Sequence, residues 1–383
     1  MSQRVKDILV DDFWIMPATP EYKDDGIPYI TSKNIKNGII DFTKVNYISQ
    51  EAYNSISRNR PILVGDILIS MIGTLGETAE VKESYGSFYG QNMFLVRINE
   101  NKINKRYFLD FFKSSSVKRA LEGKQNQSTQ KYLKANHIED LTIPMLKLDE
   151  QKLIAEQLDK LSYIIKLRTD ELKKLDELIK ARFVEMFGDV KHEEKYKGIP
   201  LRELCITMSG GTPSTKNTEY YEGNIPWITT VSLGPNHIDG STAKGYITQE
   251  AIKNSATKLI PAGNILFGTR VGVGKSSIND VDICTNQDII AIIGIDENRF
   301  NRVFIKHVLD DYQPYYDSLK KGATILGITS DDLKDTLIPD APIDVQAEFV
   351  AFVDQVDKSK VAIQKALDET KLLFDSLMQK YFG

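Results

Sequence analysis

The sequence predicts an α/β protein built twice over: two globular α/β domains separated by a pair of long antiparallel helices forming a coiled coil, with a pseudo-twofold internal repeat. Three observations predict it. The stretch from Pro144 to Gly188 recurs without a gap from Pro339 to Gly383, so that Pro144, Asp149, Gln151, Asp159, Leu172, Leu178, Phe187 and Gly188 return as Pro339, Asp344, Gln346, Asp354, Leu367, Leu373, Phe382 and Gly383. Both copies space their apolar residues by heptads. The segments ahead of the copies repeat each other more loosely, as short strands and turns.

Taken in order, residues 1–146 form the first domain. Its Ile27-Pro28-Tyr29-Ile30-Thr31 answers to Ile225-Pro226-Trp227-Ile228-Thr229, and Tyr47-Ile48-Ser49-Gln50-Glu51-Ala52 answers to Tyr246-Ile247-Thr248-Gln249-Glu250-Ala251. Gly65-Asp66-Ile67-Leu68 matches Gly263-Asn264-Ile265-Leu266, a turn leading into a buried strand. Further on, Gln91 pairs with Gln287, Phe108 with Phe304 and Thr129 with Thr324. The drifting offsets mean loops of different length on one scaffold.

Residues 147–188 form the first long helix. Leu158, Ile165, Leu172, Ile179 and Met186 fall every seventh residue, with Ile154, Leu161 and Leu175 four residues before members of that row. Residues 189–198 are a short polar linker, 199–341 the second domain and 342–383 the second helix. The rows of that helix are Val353, Lys360, Leu367, Phe374, Tyr381 and Phe349, Val356, Ile363, Thr370, Leu377. Arg168, Arg182, Lys360 and Thr370 interrupt the seams; polar seam residues cost stability but fix register, so the two helices are expected to pair with each other. Each helix would be roughly 60 Å long at about 1.5 Å per residue, holding two similar domains, inverted relative to each other, at a set distance.

Composition narrows the class. The chain has 383 residues, 41% apolar and 27% charged, enough for two or three domains. It holds no apolar run long enough for a membrane span and begins without the layout of a signal peptide, which predicts a cytoplasmic protein with no membrane partner. Two cysteines, unmatched between the halves, and four scattered histidines make neither a disulfide framework nor a metal site. The net charge of −4 excludes a uniformly basic nucleic-acid binder but not a locally basic face.

Catalytic motifs fail on spacing. Gly272-Val273-Gly274-Lys275-Ser276 follows an apolar run, but a phosphate-binding loop needs glycine where Thr269 stands, so a hairpin tip is expected instead. Asp66 with Glu80-Val81-Lys82 resembles a Mg²⁺ nuclease triad, yet the second half has Asn264 for Asp66 and no Glu-x-Lys. What remains is basic and amide-rich. Lys124-Gln125-Asn126-Gln127-Ser128-Thr129-Gln130-Lys131 offers charge for phosphates and amides for adenine, while its counterpart Lys320-Lys321-Gly322-Ala323-Thr324 keeps only the charge. Lys33, Asn34 and Lys36 with Arg58 and Arg60 in the first half, and Arg270 with Lys275 in the second, complete the candidate DNA contacts. Tyr29 and Trp227 read as core anchors.

On these residues the chain resembles, over essentially its whole length, the DNA-specificity subunit of Type I restriction-modification systems. Met186-Phe187-Gly188-Asp189 looks like the ending of that family's central helix, and Asp149-Glu150-Gln151 and Asp344-Val345-Gln346 like its helix starts. Thr129-Gln130-Lys131-Tyr132-Leu133 looks like its Thr-Gln-x-x-Leu signature, from which Thr324-Ile325-Leu326-Gly327-Ile328 departs. The resemblance implies two target-recognition domains, each reading one half of a bipartite, asymmetric double-stranded DNA target. The helices would set the spacer, and two methyltransferase subunits would dock on them and on the recognition domains, with Leu158, Leu161, Ile165, Leu172, Leu175 and Ile179 of the first helix and Val353, Val356, Ile363, Leu367, Phe374 and Leu377 of the second forming the helix-pair and partner interface. It implies no catalytic residue and no bound cofactor here: S-adenosylmethionine belongs to the methyltransferase subunits, ATP and Mg²⁺ to restriction subunits. The competing readings are a stand-alone Mg²⁺ nuclease using Asp66, Glu80 and Lys82, and a scaffolding protein that never touches DNA.

Overall fold

The structure, a computed structural model, describes residues 2–11, 14–16, 20–123, 132–192, 194–320 and 326–383. The chain divides into two units, Met1–Thr169 with Gln364–Gly383, and Asp170–Ile363. Each unit therefore owns part of both long helices, Leu148–Phe187 and Ile343–Phe382. Neither helix contains glycine or proline, and each ends where the repeat places a glycine. Gly188 adopts φ +71° and donates its N–H to Val184 at 2.8 Å, the left-handed stop that a side chain would strain. Gly383 makes the matching bond to Gln379 at 2.9 Å.

In the first unit a four-stranded sheet runs in the order Trp14–Ile15, Met93–Val96, Ile67–Ser70, Thr78–Glu80. Ile67, Ile69, Phe94 and Val96 face a layer made by Phe108, Phe111 and Leu121 of the helices Lys105–Lys113 and Ser115–Gly123. Leu68, Met93 and Leu95 face the other way, toward Tyr29, Ile30 and Tyr89 of a three-stranded sheet. Both faces are covered, which is why these strands read as unbroken apolar runs rather than alternating ones. Tyr29 is fully buried there, a core anchor. The ends of the domain close on themselves, with Ser2–Arg4 antiparallel to Thr142–Pro144.

The second unit repeats the plan. Ile206–Ser209, Ile289–Ile293, Ile265–Gly268, Ser276–Asn279 and His237–Ile238 form its larger sheet in that order. Ile265, Phe267, Ile290 and Ile292 meet Phe304 and Tyr316, while Leu266, Ile289 and Ala291 meet Ile228 and Leu233. Trp227 is buried and donates its indole N–H to Gly211 at 3.1 Å. Gly198–Pro200 pairs with Leu337–Pro339 as the first strand does in the other unit.

Within each unit the two helices pack antiparallel and enter the domain core. In the first, Ile154 and Leu158 join Met378 and Phe382, whose ring lies 4.8 Å from that of Tyr107. In the second, Ile179, Phe183 and Phe187 join Phe349, Val353 and Val356, with Phe183 and Phe349 5.5 Å apart. The seam residues Leu161, Ile165, Leu172, Leu175, Ile363, Leu367, Phe374 and Leu377 are all buried or half-buried. The polar interruptions meet partners across the seam: Arg168 donates to Thr370 Oγ1 and the Ala366 carbonyl, Lys360 to Asp176 at 2.7 Å, and Arg182 to Glu348 at 2.7 Å. Shifting one helix by a turn would separate these pairs, so they favour the observed register. No described helix is long and apolar enough to cross a membrane.

Candidate nucleic-acid interface

Each unit gathers its loops at the ends of its strands, and two of the backbone hydrogen bonds that do so recur between the units. In the first, the turn Ser32–Asn34 follows the strand Ile27–Thr31, and Ser32 Oγ donates to the Asn92 carbonyl. Met71 N–H donates to the same carbonyl at 3.1 Å, and Leu133 N–H donates to Met71 O at 2.9 Å. Gln91 Nε2 reaches the hydroxyl of the exposed Tyr22 at 3.4 Å. Four loops, around residues 32, 71, 91 and 132, are thereby tied into one face.

The second unit makes the equivalent ties. Thr269 N–H donates to Asp288 O at 2.8 Å and Ile328 N–H donates to Thr269 O at 2.9 Å. Thr212 Oγ1 donates to Gln287 Oε1 at 2.6 Å, and Asn286 Nδ2 to Asp288 Oδ2 at 3.0 Å. The glycine-rich stretch is a hairpin tip: Gly268 N–H donates to Lys275 O at 2.9 Å, and Ile265 stands opposite Ile278. Gly272 and Gly274 take φ of +69° and +83° to close it. No helix follows to receive a phosphate.

The candidate DNA contacts fall into three groups. Lys33, Lys36 and Arg58 of the first unit, and Arg270 and Lys275 of the second, are exposed. Lys36 lies 4.0 Å from Asp41, whose carboxyl is held low by hydrogen bonds from Thr43, with Lys36 adding to the effect. Arg270 stands 3.5 Å from Asp288. Asn34, Arg60 and Lys320 are engaged within their own unit. Asn34 is 8% exposed, and its amide is spent inside the loop, accepting from Thr31 N at 2.9 Å and donating to the Asp41 and Lys44 carbonyls at 2.8 and 3.0 Å. Arg60 is half-buried and paired with Asp11 at 3.2 Å. Lys320, also half-buried, pairs with Asp317, whose carboxyl it helps hold low together with Gln313. Lys124, Gln125, Asn126, Gln127, Thr129, Lys131, Lys321 and Thr324 lie outside the described residues.

The nuclease reading is overturned by the first unit's electrostatics. Asp66 is fully buried and accepts two bonds from Arg97, Nε at 2.7 Å and Nη2 at 2.9 Å, plus Leu63 N–H at 2.8 Å. The hydrogen bond to Asp66 in turn raises the Arg97 pKa despite burial. Glu80 pairs with Lys105 at 3.1 Å. Those carboxylates are occupied by cations of the chain, and Asn264 keeps the same turn in the second unit by donating to Pro261 O at 2.9 Å. Among the described residues no group of three or more His, Cys, Asp or Glu is placed to hold a metal ion.

Sequence reading missed a cleft of about 850 Å³ in the second unit, lined by Asp176, Phe183, Asn236, Lys306, His307 and Asp357 among others. His307 is pushed down to about 4 by burial first and by Lys306 second, against Asp310 and Asp357. Its Nε2 is buried with no hydrogen-bond partner among the described residues. A histidine isolated in sequence gives no signal of this.

Known proteins resemble the chain along its whole course. The sequence model of a family described as the type I restriction modification DNA specificity domain matches residues 14–177 and, a second time, residues 193–370. A putative type I restriction enzyme MjaX specificity subunit from Methanocaldococcus jannaschii is 25% identical over 379 residues, spanning 89% of this chain and 84% of that protein. The EcoR124I/EcoR124II specificity subunit from Escherichia coli is 33% identical over 174 residues, 44% of this chain and 42% of its own. A solved chain from work on complex assembly and conformational transition of the type I R-M system shares the fold, with a TM-score of 0.62 at 18% identity over 100% of this chain and 97% of its own.

Proposed function

Since the chain belongs to the type I restriction modification DNA specificity family, whose domain it carries twice, we propose that it is the DNA-reading subunit of such a system. Each unit reads one half of a bipartite, asymmetric double-stranded target through the loop face around residues 32, 71 and 91, or 230, 269 and 287. The observation that carries this is the pair of loop faces itself: the backbone bonds from Met71 to Asn92 and from Leu133 to Met71 recur as those from Thr269 to Asp288 and from Ile328 to Thr269, yet the exposed side chains the faces present differ. A shared scaffold with unlike contacts reads two unlike half-sites.

Exposed lysines and arginines give salt-dependent phosphate affinity, and side chains at base edges give discrimination of about 1 to 3 kcal/mol per good bidentate pair. Neither half needs to bind tightly alone, because the helices make the second contact intramolecular and set the spacer between half-sites. Two methyltransferase subunits dock on the helices. In support, Leu178 and Leu373, equivalent positions of the repeat, are about half exposed although apolar. The methyltransferases supply S-adenosylmethionine and the transfer chemistry, restriction subunits bring ATP and Mg²⁺ for cleavage, and this chain, working in the cytoplasm, contributes specificity without catalysis.

Gel shift with the methyltransferase subunits present, at low and high salt, tests the reading. The expected result is a shift that weakens steeply as salt rises. A complex that forms fully but shifts no DNA at either salt makes the chain a scaffold.

A further inference from the structure

The turns Ser32–Asn34 and Thr230–Ser232 are the same structure carrying different chemistry. Each follows the strand that begins Ile-Pro-aromatic-Ile, and in each the outer residues are buried while the middle one is exposed. The outer residues clamp the loop behind them: Asn34 donates to the Asp41 and Lys44 carbonyls, and Ser232 Oγ donates to Thr242 O at 2.6 Å. The middle residue is left to face outward. In the first unit it is Lys33. In the second it is Val231, 84% exposed, the most exposed large apolar side chain among the described residues.

Neither packing nor turn geometry asks for valine there. Water gains nothing from it, and a β-branched residue adds no preference for such a turn. The neighbouring loop repeats the pattern: Val271 is exposed beside Arg270, where the first unit has Gly73, and Leu326 is exposed two residues before the tie from Ile328 to Thr269. An apolar tip cannot bind phosphate or a base acceptor. Of the groups that DNA presents in its major groove, one is apolar, the 5-methyl of thymine.

Resting on the reading of the chain as a DNA-specificity subunit, we propose that Val231 is a specificity-determining residue of the second unit and recognises the 5-methyl group of one thymine in its half-site. Lys33, at the same place in the first unit, contributes charge instead. The two halves of the target thus differ in kind at the position this turn reads.

Deoxyuridine tests this directly, since it pairs as thymine does and lacks only the methyl. The complex of the chain with its methyltransferase subunits is titrated with duplexes carrying its methylated target, each thymine replaced singly. One position is expected to cost binding about three- to fivefold, the worth of one apolar methyl contact. In Val231→Ser that cost disappears, while in Lys33→Ala it remains. Non-specific duplex binds Val231→Ser as tightly as the parent, which shows the fold intact. If no thymine responds, or the same one responds undiminished in Val231→Ser, the role of Val231 is overturned while the chain remains a DNA reader. If the parent complex shows no preference for its target over other DNA, the specificity reading falls and this inference with it.

Discussion

Asn301 donates its backbone N–H to the side-chain oxygen of the fully buried Gln346 at 2.9 Å. The amide nitrogen of Gln346 donates in turn to Arg299 O at 3.0 Å and Ala341 O at 2.8 Å. Asn301 caps the helix Arg302–Asp311, so one amide joins the first turn of the long helix to the start of a domain helix. The first unit repeats it: Gln151 accepts from Asn104 N–H at 2.8 Å and donates to Leu146 O at 2.8 Å, and Asn104 caps Lys105–Lys113. This clamp joins the first turn of each long helix to its own domain.

Gln346→Ala should therefore destabilise the second unit by about 3 kcal/mol, because one buried N–H and two carbonyls lose their partner together. The loss is read as a lower unfolding midpoint and faster hydrogen exchange at Asn301. Unchanged exchange there would mean the clamp is not tight in solution.

Asp66→Ala should cost about 3 kcal/mol in the first unit, by leaving Arg97 without its buried partner. Asp66→Asn, which copies the second unit's Asn264, should cost less. Urea unfolding orders the two variants, and plasmid incubated with the parent chain and Mg²⁺ should stay uncut.

His307 makes stability depend on pH. Its folded pKa, about 4, lies below the ordinary 6.5, so between those values the unfolded state binds the extra proton. The contribution is complete above pH 6.5 and is lost as pH falls toward 4, up to about 3 kcal/mol in all. The groups facing the ring are Lys306 and Asp310 from its own helix and Asp357 and Lys360 from the long one. In His307→Gln the slope of the unfolding midpoint between pH 6.5 and 4 should flatten.

Much of the fold was legible because the repeat exposes it. An insertion-free recurrence of Pro144 to Gly188 is visible in the letters alone, and heptad rows identify the seam. The contacts that fix the assembly were not legible, since they join residues far apart: Asp66 to Arg97, Ser2–Arg4 to Thr142–Pro144, Arg168 to Thr370. Asn34 is the type of residue found at base edges, and only three-dimensional structure shows its amide bonded within the loop it closes. Val231 carries neither charge nor an amide, so its place at an exposed tip is visible only in the structure.

Seven residues inserted into the middle of the first long helix and seven into the facing part of the second lengthen each by about 10 Å. At 3.4 Å per base step the spacer should grow by roughly three base pairs, with both half-sites unchanged. Altered half-site bases would contradict the division of labour between helices and loops.

Whether two unlike readers are held at a set interval is decided by long-read mapping of methylated adenines in cells carrying this chain with its methyltransferase subunits. The expected result is one motif made of two different half-sites separated by a fixed run of unspecified bases. A palindromic motif, or an uninterrupted one, would contradict it.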